Sequence, residues 1–531
     1  MMPHPGRGGN GTAVVELAGV RTTGPRARVM RGEPAYEELR RRARARAALA
    51  GCAEFLAWDE VTYMPPAGAA HRAAQMALLA GLIHDRGADP RLGELLAAVE
   101  ASDLVADPDS VAAANVRELR RQYDRDARLP RPLVEELARV TALAEQAWAD
   151  ARRAADFARF RPWLERVVGL SREYAAAAEP VAEPYDALLH SYEPDLSAAR
   201  LTELFDDLRR ELVPLAQACT YADRRPDKSV LTGPFPPDRQ RALAERAAAA
   251  VGFDFAAGRL DTTTHPFFSA IGPGDVRITT RFRPDDFRDG LFATLHEVGH
   301  GLYEQNLPAE HAGTPAGEAT SLALHESQAR LWENQVGRSR PFWEHFGPVI
   351  RDSFPTLGSA DPASIYFAVN AVEPIFIRAA ADEVTYNLHV LVRFELERAL
   401  IGGELPAGEL PAAWAEKYRR TLGIVPSNDA EGCVQDGHWA AGMFGYFPIY
   451  TVGNLLAAQL FARARADLPD LDAAFARGDF RGLLAWLREN VYRHGGRYPA
   501  GRLVERVTGM PLANGPLLDG LRRKYGELYG L

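Results

Sequence analysis

Two histidines four residues apart, with a glutamate directly after the first, are the residues of this chain best suited to chemistry: His296, Glu297 and His300 in "LFATLHEVGHGLYEQ", Leu291 to Gln305. On an α-helix, positions four apart share a face. Both imidazoles can then turn a ring nitrogen toward one ion, while Glu297, one step round, reaches a water beside it. That arrangement suits hydrolysis assisted by a divalent cation, which makes water acidic, with a pKa of roughly 7, while a carboxylate takes the proton. The bland alternative is a pair of solvated histidines on a surface helix. Leu291, Leu295, Val298 and Leu302 form an apolar stripe, and Gly299 and Gly301 permit close helix packing, so burial is the better reading. Asp285 and Asp286 stand before the stretch as caps and Pro308 closes it.

A catalytic site of this type wants a third protein ligand and one open position. The stretch "SLALHESQARLWENQ" offers Glu326 and, beside it, His325, on a second predicted helix joined to the first through the Gly/Pro-bearing "NLPAEHAGTPAGEA". Spacing favours Glu326 over His325 but leaves both open.

The elements that must position these groups are mostly helical. "AYEELRRRARARAALAGCAEFLAW", the long run from Pro132 to Ala178 and "LSAARLTELFDDLRRELVPLAQAC" repeat apolar residues at three- and four-residue steps. Pro and Gly punctuate them at "TYMPPAGAA", "DRRPDKSVLTGPFPPDR" and "LIGGELPAGELP", and no repeat or low-complexity linker divides them. One strand is predicted, "DVRITTRF", Asp275 to Phe282. The reading is a single domain over residues 35–531 behind an N-terminal extension, 1–34, that lacks an apolar signal core and is expected to be disordered, with Met30 as an alternative start. The uncharged segment Trp439 to Ala462 is long enough to span a bilayer, but Pro448, Asn454 and Gln459 interrupt it, so a buried core segment is expected.

Bulk composition narrows the classes. A formal net charge of −9 over 531 residues gives no basic field for nucleic acid, and 47% hydrophobic with 25% charged residues is ordinary globular make-up. Cys52, Cys219 and Cys433 form no CxxC pair, which points to neither secretion nor thiolate metal binding and fits a cytoplasmic protein.

Further motifs stand in order along the chain: "HPF" (His265 to Phe267), "DVRIT" (Asp275 to Thr279), "HEVGH", "HESQ" (His325 to Gln328), "IRAAAD" (Ile377 to Asp382) and "GCVQDGHW" (Gly432 to Trp439). With them, from about Ala35 to the end, the sequence resembles the carboxypeptidase Taq family, the M32 metallocarboxypeptidases. The resemblance implies a mainly α, gluzin-like fold with a deep cleft and a small β element beside the active site. It implies that His296, His300 and Glu326 are the metal ligands, that Glu297 is the catalytic acid/base, and that one divalent metal, Zn2+ or alternatively Co2+, is bound. A homodimer acting on peptide substrates is also implied, while the charge balance and the interrupted apolar segment already argue against nucleic acid and membrane as partners.

Beside the resemblance, the chemistry needs a donor for the developing oxyanion and a grip on the substrate's terminal carboxylate. His438, then Tyr446, are the donor candidates, against the reading that both fill the core; Asp436 is expected to orient a histidine. Arg277 on the predicted strand is the first candidate for the carboxylate, and Arg378 the rival, whose bland explanation is an ion pair with Asp382 four residues on. His265 joins them as a substrate-binding candidate through its motif. The expected activity is removal of single residues from peptide C-termini, with the broad specificity that the resemblance implies. An oligopeptidase or dipeptidyl carboxypeptidase on the same scaffold is the runner-up, and an inactive peptide-binding scaffold would have no use for Glu297.

Overall fold

The computed structural model describes residues 25–531 apart from residue 359, and α-helices dominate it. The first helix, Pro25–Thr62, takes in ten residues that the sequence reading gave to the N-terminal extension, and its backbone continues through Pro34. The remainder of that predicted extension lies outside the described residues. One large apolar core runs from Val140 to Tyr529 and includes the fully buried Trp332, Trp343 and Trp414. A small satellite cluster of Leu39, Leu95, Leu96, Val99 and Val116 is built by the N-terminal helices.

The helix Phe447–Asp467 covers most of the uncharged segment and is buried along nearly its whole length, and no helix among the described residues is long and apolar enough to cross a membrane. Trp439 to Gly445, which precede it, are turns.

The predicted strand is present, two residues shorter, as one of three: β1 (Gly258–Thr262), β2 (Phe268–Gly272) and β3 (Asp275–Thr280), in the order β1-β3-β2. β1 runs parallel to β3 and β2 antiparallel to it, with Phe268 opposite Ile278. The two flanking strands escape sequence reading because each is five residues long and lacks a run of β-branched residues. Val276 and Ile278 are buried on one face, and a Cβ at Gly301 would meet Ile278 at 3.4 Å, so that face lies on the helix carrying the two histidines.

Candidate active site

The HEVGH helix spans Phe287–Glu304 and is capped by Asp286, whose carboxylate accepts the Arg288 N–H at 2.9 Å. It ends four residues before Pro308, because Asn306 and the following turn already leave the helical path. The second predicted helix is Leu322–Arg330, capped by Ser321, and it continues into a π-turn over Leu331–Val336. The two pack with almost no gap: a Cβ on Gly299 would lie 2.5 Å from the Ala329 Cα, so only glycine fits where the helices cross. A third element, the helix Phe447–Asp467, approaches at Gly453, where a Cβ would meet the Glu326 Cγ at 2.6 Å.

This packing brings His296, His300 and Glu326 together, with one ligand atom from each lying within 4.8 Å of the others. Glu326 Oε2 is 3.7 Å from His296 Nε2 and 3.6 Å from His300 Nε2. Two imidazole nitrogens and a carboxylate oxygen converging at that separation fit the three-ligand set of a divalent cation with one side left open. The other nitrogen of each ring is already engaged, as metal-binding imidazoles commonly require. His296 Nδ1 meets Glu333 Oε2 at 3.0 Å, and the π-turn is what aims Glu333 there. His300 Nδ1 lies 2.6 Å from His325 Nδ1, and His325 Nε2 2.9 Å from Glu304 Oε1. With the His300 Nε2 lone pair turned to the cluster, Nδ1–H donates to His325, which must then donate from Nε2 to Glu304. His325, the rival ligand, thus stands behind His300. Phe268 stacks over both rings at 4.5 and 4.6 Å, which is how the sheet supports the site.

Charge is balanced inside the cluster. Arg330 donates to Glu326 at 2.6 Å and to Glu333 at 3.1 Å. Burial alone would raise both carboxyls, but Arg330 and the histidines outweigh it, holding Glu333 at about 2 and Glu326 well below the usual range. Burial pushes His300 down to about 3, keeping its ring neutral and free to ligate. Glu297 shifts in the opposite sense. Buried and without an arginine partner, it is driven up to about 7 by desolvation, helped by the charges of Glu326 and Glu333 against the pull of His296. A carboxyl in that range can both take and return a proton near neutral pH.

A second patch adjoins the cluster. Arg330 donates to the Tyr386 hydroxyl at 2.7 Å, and so does Arg378 at 2.9 Å. The Arg378 guanidinium lies 4.8 Å from the centre of the Tyr450 ring, and His438 Nε2 is 3.0 Å from the Tyr450 hydroxyl. Tyr446 packs on Tyr450 and His438 and feels the charge of Glu326. His438, Tyr446 and Arg378 are therefore contiguous with the metal cluster. Burial, reinforced by the Arg378 charge, lowers His438 to about 4, so its ring is neutral.

Two expectations about partners need correction. Asp436 orients no histidine: it ion-pairs with Arg378 at 2.8 Å and Arg393 at 2.6 Å. Arg378 in turn does not pair with Asp382, which accepts the N–H groups of Glu373, Val384 and Thr385 and so shapes the loop. The reason is local: Arg378 to Ala380 form a short 3-10 turn that ends before the next helix, so four-residue spacing does not juxtapose the pair.

Arg277 points from β3 to the face opposite Ile278. There it forms a two-bond ion pair with Asp275 at 2.8 Å and lies over Trp58 of the first helix at 4.2 Å. His265 is exposed in the loop before β2. The same loop is pinned by Thr279, whose hydroxyl accepts the Phe267 N–H at 2.9 Å. Sequence reasoning missed Phe268, Glu333, Arg330, Tyr386, Tyr450 and Glu304. Only Glu304, four residues past His300 on the same helix face, and Arg330, four past Glu326, carried a spacing signal.

The family described as "Carboxypeptidase Taq (M32) metallopeptidase" matches residues 38–525. The chain is 50% identical over 510 residues to thermostable carboxypeptidase 1 of Thermus thermophilus, covering 94% of this chain and all of that one. It is 36% identical to carboxypeptidase 1 of Bacillus subtilis, with 89% and 94% covered. A crystal structure of the M32 carboxypeptidase from Deinococcus radiodurans superposes with a TM-score of 0.90 at 43% identity, over 94% of this chain and all of that one.

Proposed function

Because the chain belongs to the carboxypeptidase Taq (M32) family of metallopeptidases and is a metal-dependent carboxypeptidase, we propose that it removes single residues from peptide C-termini with broad specificity, using Glu297 as general acid/base. The observation that carries this reading is a buried Glu297 beside the convergent His296, His300 and Glu326. Those three would hold the cation, Zn2+ by the character of the donors or else Co2+. When bound, it would supply Lewis acidity and lower the pKa of water.

The chain's own residues do the rest. Glu297 takes a proton from the attacking water and delivers it to the departing amine. His438, through a ring N–H, and Tyr446, through its hydroxyl, donate to the oxygen that gains charge as the carbonyl becomes tetrahedral. For the substrate's terminal carboxylate, support now favours Arg378 over Arg277. Arg378 shares Tyr386 with Arg330, one contact from Glu326, whereas Arg277 lies across the sheet; occupancy does not separate them, since Arg378 is paired with Asp436 as Arg277 is with Asp275. His265, exposed in the loop before β2, is kept as a substrate-contacting residue of this reading.

The test is digestion of free-acid and C-terminally amidated peptides, with and without chelator, followed by mass ladders and metal analysis. Ladders descending one residue at a time, abolished by chelation and by amidation, are expected. Two-residue steps or internal cuts would replace this reading with the dipeptidyl or oligopeptidase one.

A further inference from the structure

Glu397 lies on the helix Thr385–Gly402, wholly buried, and takes no part in the metal cluster. Its Oε1 accepts the Trp439 indole N–H at 2.8 Å. Its Oε2 accepts the Tyr185 hydroxyl at 2.8 Å and the Gly445 backbone N–H at 3.3 Å. Among the ion pairs of the described residues it has none. Burial pushes its carboxyl up to about 8, so an acid is held here without an ion-pair partner, and an apolar residue would fill this position of the core more cheaply.

The arrangement of its donors suggests why an acid is there. Two of them belong to one loop and sit immediately inside the two oxyanion donors: Trp439 follows His438, and Gly445 precedes Tyr446. Between them the backbone has only turns, with Gly442 and Gly445 in the left-handed region at φ 75° and 87°. A Cβ at Gly445 would strike the backbone of Leu188 and Leu189 at 2.9 to 3.1 Å, so the far end of the loop is pressed onto the helix Pro184–Leu189, whose Tyr185 completes the carboxylate's shell. Neither a helix nor a strand sets the distance from His438 to Tyr446. Turn bonds such as Met443 N–H to the His438 carbonyl at 2.8 Å shape the loop locally, and the shared carboxylate ties its two ends together.

We propose that Glu397 is a positioning residue for the hydrolysis: by holding Trp439 and Gly445 to one buried carboxylate, it sets the separation and direction of His438 and Tyr446. This rests on the oxyanion roles given to those two groups above.

The test uses the full-length, metal-loaded enzyme. Glu397→Gln keeps the volume but leaves one acceptor oxygen where two served, so the loop loses either the Trp439 or the Gly445 bond. Misplacement of this kind should lower kcat on the order of ten- to a hundredfold, with KM within about threefold of wild type and metal content unchanged. Trp439→Phe, which deletes the indole donor from the other side, should give a similar fall, and the double variant should fall no further than the worse single one. Combining Glu397→Gln with Tyr446→Phe should likewise cost less than the product of the separate losses. If His438→Ala and Tyr446→Phe slow the enzyme while Glu397→Gln at full metal content keeps wild-type kcat, or if the losses multiply, the positioning role is overturned and the oxyanion assignment stands. If His438→Ala and Tyr446→Phe both keep wild-type kcat, the oxyanion assignment fails and takes this proposal with it. Should Glu397→Gln not fold, Trp439→Phe alone and combined with Tyr446→Phe decides between the same outcomes.

Discussion

At the scale of single residues, Glu297 differs from its carboxylate neighbours in one respect: Glu326 and Glu333 are bonded to Arg330, whereas among the described residues Glu297 has no ion-pair partner and feels His296 and Arg330 only as nearby charges. Its proposed work is proton transfer and not ligation. Glu297→Gln should therefore retain near-stoichiometric metal while kcat falls by about 10² to 10⁴; metal lost in step with activity, read by elemental analysis, would reassign the residue. Arg378 invites a second measurement. If it binds the terminal carboxylate, Arg378→Ala should cost about 2 to 4 kcal/mol in kcat/KM on free-acid peptides. Amidated peptides should lose little more, since amidation and mutation delete the two partners of one contact. Additive losses would clear Arg378, and Arg277→Ala would then enter the same comparison.

At the scale of elements, the site depends on helices meeting at glycines and on what caps them. Gly453 lets the helix Phe447–Asp467 touch Glu326, and an added methyl has a packed, ligand-bearing side chain 2.6 Å away. Gly453→Ala should displace that ligand, weakening metal affinity at least about tenfold in a competition titration, at a folding cost of about 1 to 3 kcal/mol; unchanged affinity would mean that the helix shifts as a body. The N-terminus of the Leu322–Arg330 helix has its own titrating partner. Glu193, buried, accepts the Ala323 N–H at 3.3 Å, and burial pushes its carboxyl up to about 7. A folded-state pKa raised above the ordinary value near 4.5 means that the protonated form is favoured. Its stabilisation is complete below that ordinary value and is lost as pH rises through about 7. Glu193→Gln has no such dependence, so its melting temperature should gain on wild type between about pH 5 and about pH 8. Parallel profiles would show that Glu193 does not carry the effect.

For the whole molecule, the three residues that would hold the metal lie on two helices that already pack tightly, so the cation would reinforce a formed core. Chelation should abolish activity and lower Tm by only a few degrees, in line with the roughly 3 to 4 kcal/mol that a ligand at 100 to 1,000 times its Kd contributes. Far-UV circular dichroism should stay helical, and activity should return with added Zn2+. Global unfolding on chelation would mean that the two helices do not hold without the ion.

The local part of this protein was legible from sequence. His296, Glu297 and His300 belong together because helix geometry places residues four apart on one face whatever surrounds them. Asp286 as a cap, Glu326 on a second helix and a strand at Asp275 follow from equally short-range rules, and the ordered motifs pointed to the family. Tertiary structure alone decided the partners. Asp436 belongs to two arginines and not to a histidine, His325 stands behind His300 and not beside it, and Glu397 gathers donors from Trp439, Gly445 and Tyr185. Each of these contacts joins segments far apart in the chain. What brings them within hydrogen-bond reach is the way whole helices pack, in places to the tolerance of a single missing Cβ, and no local pattern of residue types encodes that.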